Sequence, residues 1–300
     1  MILVAGATGV LGGMITRRLL GEGKQVRVLV RHNSPADQMA LQGMATPART
    51  LIEAGAGPVY GDLKDRASLD AALAGVDTVI TTANSAMRGG EDTVDSVDRL
   101  GNRNLTHAAQ AAGVKQFVFT SFLGAHPDNP VPLFRAKAEA EAALAASGMP
   151  YTVLAPNFFM ESWIGMVVGI PLQAHLPVTL VGEGRRLHSL ISAADVAAFA
   201  AAVVGHPAAM NQRLALGGPE PVSWCGVVDT FGRILGQALP LQFSAPGAPI
   251  PGLPEIVRPV LAGMETYDSP IPMDETARLF GVRLTPLQSV ARRMLGVPAA

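Results

Sequence analysis

The run Ile2-Leu3-Val4-Ala5 passes directly into Gly6-Ala7-Thr8-Gly9-Val10-Leu11-Gly12, and helical periodicity begins at once behind it. A short apolar run, a glycine-punctuated turn and a helix in that order leave few folds open. Gly6 permits the tight turn, Gly9 lets a pyrophosphate approach the backbone, and Gly12 lets the helix pack closely on the strand. The first amides of the helix and its positive end then face the phosphates. Position and spacing predict a dinucleotide site built on Gly6, Thr8, Gly9, Val10, Leu11 and Gly12. The plain alternative is a strand–turn–helix with small residues for packing.

The rest of the chain repeats the alternation. Apolar runs at Ile2–Ala5, Val26–Val30, Pro58–Tyr60, Thr78–Thr82, Phe117–Thr120 and Thr152–Leu154 read as buried strands, since a parallel sheet covered on both faces needs no polar alternation. Helices are expected over Val10–Gly21, Pro35–Glu53, Ala67–Leu73, Thr93–Ala112 and Phe134–Ser147. The order implies an α/β fold, a doubly wound parallel sheet of Rossmann type. After Pro156 prolines fragment the pattern, with firmer helices at Ala193–Val204 and Trp224–Leu235. The expected division is a nucleotide-binding domain over residues 1–155 and a smaller substrate lobe over 156–300, in one compact unit.

Composition narrows the function. A net charge of −1 offers no basic surface for nucleic acid. Cys225 is the single cysteine, so no intrachain disulfide framework is expected, and a reducing cytoplasm suits the chain. The six histidines lack ligand spacing and no metal is expected. The stretch Trp163–Val181 is broken by Pro171 and Pro177, so no bilayer span and no membrane partner are expected. The acidic stretch Glu91-Asp92, Asp95, Asp98 reads as a solvated helix face near an N-terminus.

Polar residues at the strand ends extend the nucleotide reading. Arg31 follows the second strand where NAD-preferring sites place an acid, and no acid lies between Val26 and Pro35. A guanidinium there matches a ribose 2′-phosphate, which favours NADP(H) over NAD(H). Asp62, after the third strand, either accepts from an adenine amino group with Leu63 on the ring, or caps the next turn. Thr82, Ala83 and Asn84, after the fourth strand, stand where a cofactor ribose is lined.

The segments Gly6–Gly12, Val28–Arg31, Gly61-Asp62-Leu63, Gly113–Phe117, Thr120-Ser121, Lys137–Glu141 and Pro156–Phe159 together resemble the atypical short-chain dehydrogenase/reductase superfamily, nearest its NmrA-like branch. Asp195-Val196-Ala197 and Gly217–Glu220 extend the resemblance over nearly the whole chain. It implies that Pro156, Asn157, Phe158 and Phe159 approach the nicotinamide and that Asp195 anchors the C-terminal lobe.

The chain departs from that superfamily at the catalytic pair. A tyrosine normally stands four residues before the lysine, on the same helix face. Here Lys137 is preceded at that spacing by Leu133. Tyr60 and Lys64 have the spacing but straddle a strand end, where residues four apart share no face. Similar reductases lacking the tyrosine rely on the lysine. Lys137 is therefore the candidate proton donor or ribose ligand, against a surface lysine paired with Glu141. Ser121 either binds a substrate oxygen or caps a turn. Phe158, Phe159, Met160, Trp163 and Met166 form core or the wall of a pocket for flat apolar substrates. The expectation is an NADPH-dependent reductase of a small apolar acceptor such as a quinone, enone or aromatic carbonyl. The other reading is a non-catalytic NADP(H)-sensing regulator or assembly factor. A sugar-nucleotide epimerase needs the missing tyrosine as base.

Overall fold

A computed structural model describes residues 1–32, 45–86, 88–250 and 252–298. Strands β1 (Ile2–Ala5), β2 (Val26–Val30), β3 (Gly57–Tyr60), β4 (Thr78–Thr81), β5 (Gln116–Thr120), β6 (Tyr151–Pro156) and β8 (Gln212–Leu216) form one seven-stranded sheet, ordered β3-β2-β1-β4-β5-β6-β8. The pairs among β1 to β6 are parallel, and Ala5 stands in register with Thr81. The doubly wound α/β expectation holds. Every residue of β1, β4 and β5 is buried, as a sheet covered on both faces requires. β3 is an exposed edge, which tolerates Pro58 because that position need not supply a ladder donor.

The sheet is flanked by α1 (Val10–Gly21), α2 (Ala48–Glu53), α3 (Arg66–Ala72), α4 (Asn102–Ala111) and α5 (Pro132–Ala146). Leu3, Leu29, Leu69, Val79, Leu105 and Phe117 share one buried cluster that joins sheet and helices. Two helix expectations change. The helix expected from Thr93 begins as a π-helical stretch, Val94–Gly101, before settling into α4. Within the helix expected over Pro35–Glu53, residues 35–44 lie outside the described residues. Thr46 and Pro47 are not helical: Thr46 N donates to Thr8 O at 2.8 Å and Pro47 caps α2 in an extended conformation. Proline suits a helix start and resists an earlier one, because it disfavours helical geometry at the residue before it.

The chain divides into two compact units, Met1–Ala155 with Val196–Leu214, and Pro156–Asp195 with Ala215–Ala300. The second unit is thus discontinuous in sequence. It holds a two-stranded parallel sheet, β7 (Val178–Val181) with β9 (Leu241–Ser244). Among the described residues no helix is long and apolar enough to cross a membrane, and no cluster of metal-ligating side chains occurs.

Asp195 is tied within the second unit. Its two carboxylate oxygens accept from Thr285 N and Thr285 Oγ1, both at 2.7 Å, while the residue is 4% exposed. Removing a buried acceptor strands both donors. Asp195→Ala is therefore expected to lower stability by about 2–3 kcal/mol in urea denaturation. An unchanged midpoint would reject this anchoring role.

Candidate functional site

The order of the sheet reverses between β1 and β4, and in open α/β sheets the ligand crevice opens at the carboxyl ends of the strands beside that point. The glycine turn leaves β1 there and Thr82-Ala83-Asn84 leaves β4. Gly6 has φ +81°, which an L side chain rarely adopts, and a Cβ on it would stand 2.8 Å from Ala83 N. A Cβ on Gly12 would stand 2.1 Å from Gly6 O. The two glycines thus permit the turn and the close helix–strand approach assigned to them. Gly9 caps α1 without any side-chain hydrogen bond, so the amides opening the helix have no side chain competing for them. That is the state an anion-binding helix start needs.

One cleft gathers Gly6, Thr8, Arg31, Gly61, Asp62, Leu63, Ala83 and Asn84, with Leu29, Arg88, Asp92 and Val97. Sequence reasoning placed seven of these (Gly6, Thr8, Arg31, Asp62, Leu63, Ala83 and Asn84) in a nucleotide site and missed Arg88 and Asp92. Arg31 Nη1 donates to both oxygens of Asp92, at 3.0 and 2.7 Å, and Lys64 Nζ donates to Asp92 Oδ1 at 3.2 Å. Burial opposes the charge on Asp92, but the bonds from Arg31 and Lys64 outweigh it and hold the carboxyl below its usual range. Arg31 Nη2 is buried and has no partner among the described residues. Burial, then the charge of Arg31, lowers the pKa of the neighbouring Arg88 guanidinium.

The acidic stretch is therefore not one solvated face. Glu91 is exposed, and Asp95 pairs with Arg99 at the surface. Asp92 and Asp98 turn inward, Asp98 being 1% exposed and accepting from Ser85 N at 2.9 Å and Ser85 Oγ at 2.6 Å. The π-helical stretch shifts the register from that of a uniform helix, so a 3.6-residue wheel misassigns the faces.

Asp62 Oδ1 accepts from Lys64 N at 2.9 Å, which is the turn-capping role, while the residue still lines the cleft. Asn84 folds back on its own loop, its Nδ2 donating to Thr82 O at 3.2 Å and its Oδ1 accepting from Ala86 N at 2.9 Å. Tyr60 is exposed on the edge strand and stacks on His32 with ring centroids 4.5 Å apart, away from any catalytic lysine.

Lys137 projects from α5 into the protein and is 6% exposed. Its Nζ donates to Thr120 O at 2.9 Å and lies 4.9 Å from the centre of the Phe119 ring. It is not the surface lysine of the bland alternative. Burial pushes its pKa below the ordinary lysine value, against the opposing charges of Asp98 and Glu141. On the surrounding elements Asp98 Oδ1, Asn102 Oδ1 and Thr120 Oγ1 are buried without partners among the described residues. Ser121 Oγ donates to Glu141 Oε1 in a short contact, and Arg213 Nε holds the other oxygen of Glu141 at 2.8 Å. The Ser121 hydroxyl proton is thus engaged by a carboxylate, an arrangement sequence reasoning did not find because Arg213 lies 72 residues away.

Pro156, Asn157, Phe158 and Phe159 belong to the second unit. Asn157 Nδ2 donates to Ser269 Oγ at 3.0 Å, and Phe158, 2% exposed, meets Trp163 edge-on at 5.0 Å. Ser269 Oγ also contacts His188 Nδ1 at 2.7 Å. Burial lowers the His188 pKa, so the ring favours its neutral form. Nearby in chain order, Met166, Val167, Ile170, Leu176, Ile250 and Leu253 line an apolar cavity of about 110 Å³ within the second unit. Cys225 is partly buried, its Sγ 3.4 Å from Glu183 O, and burial raises its thiol pKa.

Residues 1–275 match the NmrA-like family. The chain belongs to that family. This NmrA-like chain is 31% identical over 245 residues to the NAD(P)H azoreductase of Xenophilus azovorans, covering 82% of this chain and 77% of that protein. It is also 31% identical over 237 residues to the photosystem II assembly factor Ycf39 of Trieres chinensis, covering 79% and 70% of the two chains. Among solved structures, the NADPH-dependent quinone oxidoreductase of Escherichia coli in complex with NADPH superposes with a TM-score of 0.78 at 24% identity, over 98% of this chain and all of that one. That likeness establishes the fold of the NmrA-like chain.

Proposed function

We propose that this chain is an NADPH-dependent oxidoreductase acting on a small apolar acceptor such as a quinone, an enone or an aromatic carbonyl. The observation that carries this reading is the receptive cleft itself. Gly6 and Thr8 of the turn that leads into the uncapped start of α1 line it, and so does Arg31, whose buried Nη2 has no partner among the described residues. Both are donors, and both suit phosphate groups. The residues present fit the cofactor. Apart from Gly9 N, which donates to Gly6 O at 2.9 Å, the amides of residues 6–12 would hold the pyrophosphate, Arg31 the 2′-phosphate, Asp62 and Leu63 the adenine, and Thr82, Ala83 and Asn84 a ribose. Lys137 would serve the nicotinamide end, and the resemblance implies the same of Pro156, Asn157, Phe158 and Phe159. When bound, NADPH supplies the hydride.

The chain's own part is to orient, to exclude water and to manage a proton. Lys137 has three N–H donors when protonated and gives one to Thr120 O, so the others remain for an acceptor oxygen or the cofactor ribose. Its lowered pKa brings it towards the range where an acid works near neutral pH. Ser121, bound to Glu141, acts as a polar wall. A quinone suits such a site because hydride addition to it needs little acid assistance. The azoreductase relative adds azo compounds to the candidates.

The test is NADPH oxidation against quinones, enones, aldehydes and azo dyes at saturating cofactor. Turnover with one acceptor class is expected. The second reading, a cofactor-sensing regulator or assembly factor, draws on Leu133 in place of the tyrosine and on the Ycf39 relatives. Tight NADPH binding with no turnover across the panel would favour it, and no pyridine-nucleotide binding at millimolar concentration would reject both.

A further inference from the structure

We infer that Asp92 is a specificity-determining residue of the cleft, narrowing the preference for a 2′-phosphorylated dinucleotide so that NADH is accepted beside NADPH. The inference deepens the cofactor reading above and rests on it. At the end of β2 the sequence offers Arg31 and no acid. Folding brings one from 61 residues away, and Asp92 arrives with a side chain only 9% exposed. Both of its oxygens are taken up by a single nitrogen of Arg31, and Lys64 adds a third bond. Arg31 Nη2 is left buried and without a partner among the described residues, and Arg88 lines the same cleft. Among the described residues Asp62 and Glu91 are the other acids near Lys64, at 3.8 and 4.0 Å.

This arrangement sends two opposing messages to a ribose. Arg31 Nη2 and Arg88 offer donors to a 2′-phosphate. Asp92 sets a full negative charge against the same Arg31, and a phosphate drawn to that guanidinium must approach the carboxylate. Part of the guanidinium's attraction is already neutralised by the bond at 2.7 Å. A carboxylate has about four acceptor positions and three are in use here, so one remains for the hydroxyl hydrogen of an unphosphorylated ribose. An acid in this neighbourhood is what NAD-accepting sites use for that hydroxyl. A lone arginine would select the phosphate, whereas an arginine pinned by a carboxylate selects it weakly.

The experiment is direct calorimetric binding of NADPH, NADH, 2′,5′-ADP and 5′-AMP to the wild-type chain, Asp92→Asn and Asp92→Ser. Asparagine keeps the shape and removes the charge. Serine removes both and guards against an Asn-specific failure to fold. In the wild type, NADH is expected to bind within about a hundredfold of NADPH, and a wider gap overturns the inference. In either folded variant the NADPH-to-NADH affinity ratio is expected to rise about tenfold or more, matched by 2′,5′-ADP over 5′-AMP. A ratio that stays within about threefold, or that falls because Arg31 loses its orientation, overturns it. If the wild type binds both dinucleotides and the ratios fail, Asp92 is cleared and the cofactor reading stands. If the wild type binds neither, the cofactor reading falls and this inference with it.

Discussion

A Gly12→Ala variant is expected to lose NADPH affinity by about a hundredfold or more, with a stability loss of about 1–3 kcal/mol from overpacking. The added Cβ would stand 2.1 Å from Gly6 O, 2.7 Å from Gly6 C and 2.9 Å from Ala7 Cα. All three are backbone atoms of the same turn, so no rotamer change relieves the overlap. Either α1 moves off β1 or the turn opens. Both displace the uncapped amides proposed to hold phosphate, and a shift of about 1 Å is enough to spoil such positioning. Gly21→Ala is the control. It lies on the same helix with nothing within 4 Å of the added Cβ, and alanine there is expected to be neutral or slightly stabilising. Nucleotide titration and urea denaturation on both variants separate binding from folding. Wild-type affinity in Gly12→Ala would show that the turn does not hold the phosphates.

Why was the glycine turn legible and Asp92 not? The turn is local. Its strand, glycines and helix follow one another within a dozen residues, and each residue type is forced by a steric demand inside that stretch. The apolar runs of β1, β4 and β5 were legible for a related reason, since burial on both faces leaves no other composition. Lys137 falls in the helix expected over Phe134–Ser147, while its departure from the usual pair at Leu133 was legible only through the resemblance to the short-chain dehydrogenase/reductase superfamily.

What escaped was set by contacts between distant segments. Asp92 meets Arg31 only because the loop after β4 folds over the end of β2. Glu141 is shared by Ser121 and Arg213, which come from a strand end and the edge strand β8. The inward turn of Asp98 depends on a π-helical register that no regular periodicity predicts. Thr46, bonded to Thr8 O beside the glycine turn, carries no motif of its own. Alternating apolar content reports burial, but the pairing of buried charges is a tertiary fact. A long acidic stretch then reads as solvated even when two of its members are the buried acceptors of the site.

Lys137→Met is expected to lower kcat by about a hundredfold or more, while NADPH affinity falls by less than about tenfold. The variant is also expected to be as stable as the wild type or more so. Burying an ammonium is costly, and one hydrogen bond to Thr120 O, one ring contact with Phe119 and the charges of Asp98 and Glu141 offset that cost only in part, since the pKa is still lowered. A methionine of similar length fills the same space without that cost. A residue kept against its own folding preference points to chemistry. The pH dependence carries the sign of the shift. The folded pKa of Lys137 lies below its unfolded value, so between the two the unfolded chain binds more protons. Stability therefore rises with pH across that window, and the penalty is full below the folded pKa. Lys137→Met should lose this rise. Activity runs the other way: if Lys137 donates the proton, kcat falls as pH climbs through the lowered pKa, and the variant's residual rate lacks that limb. A variant with unchanged kcat and an unchanged pH profile would leave Lys137 as scaffolding between α5 and the end of β5, and proton delivery would pass to solvent.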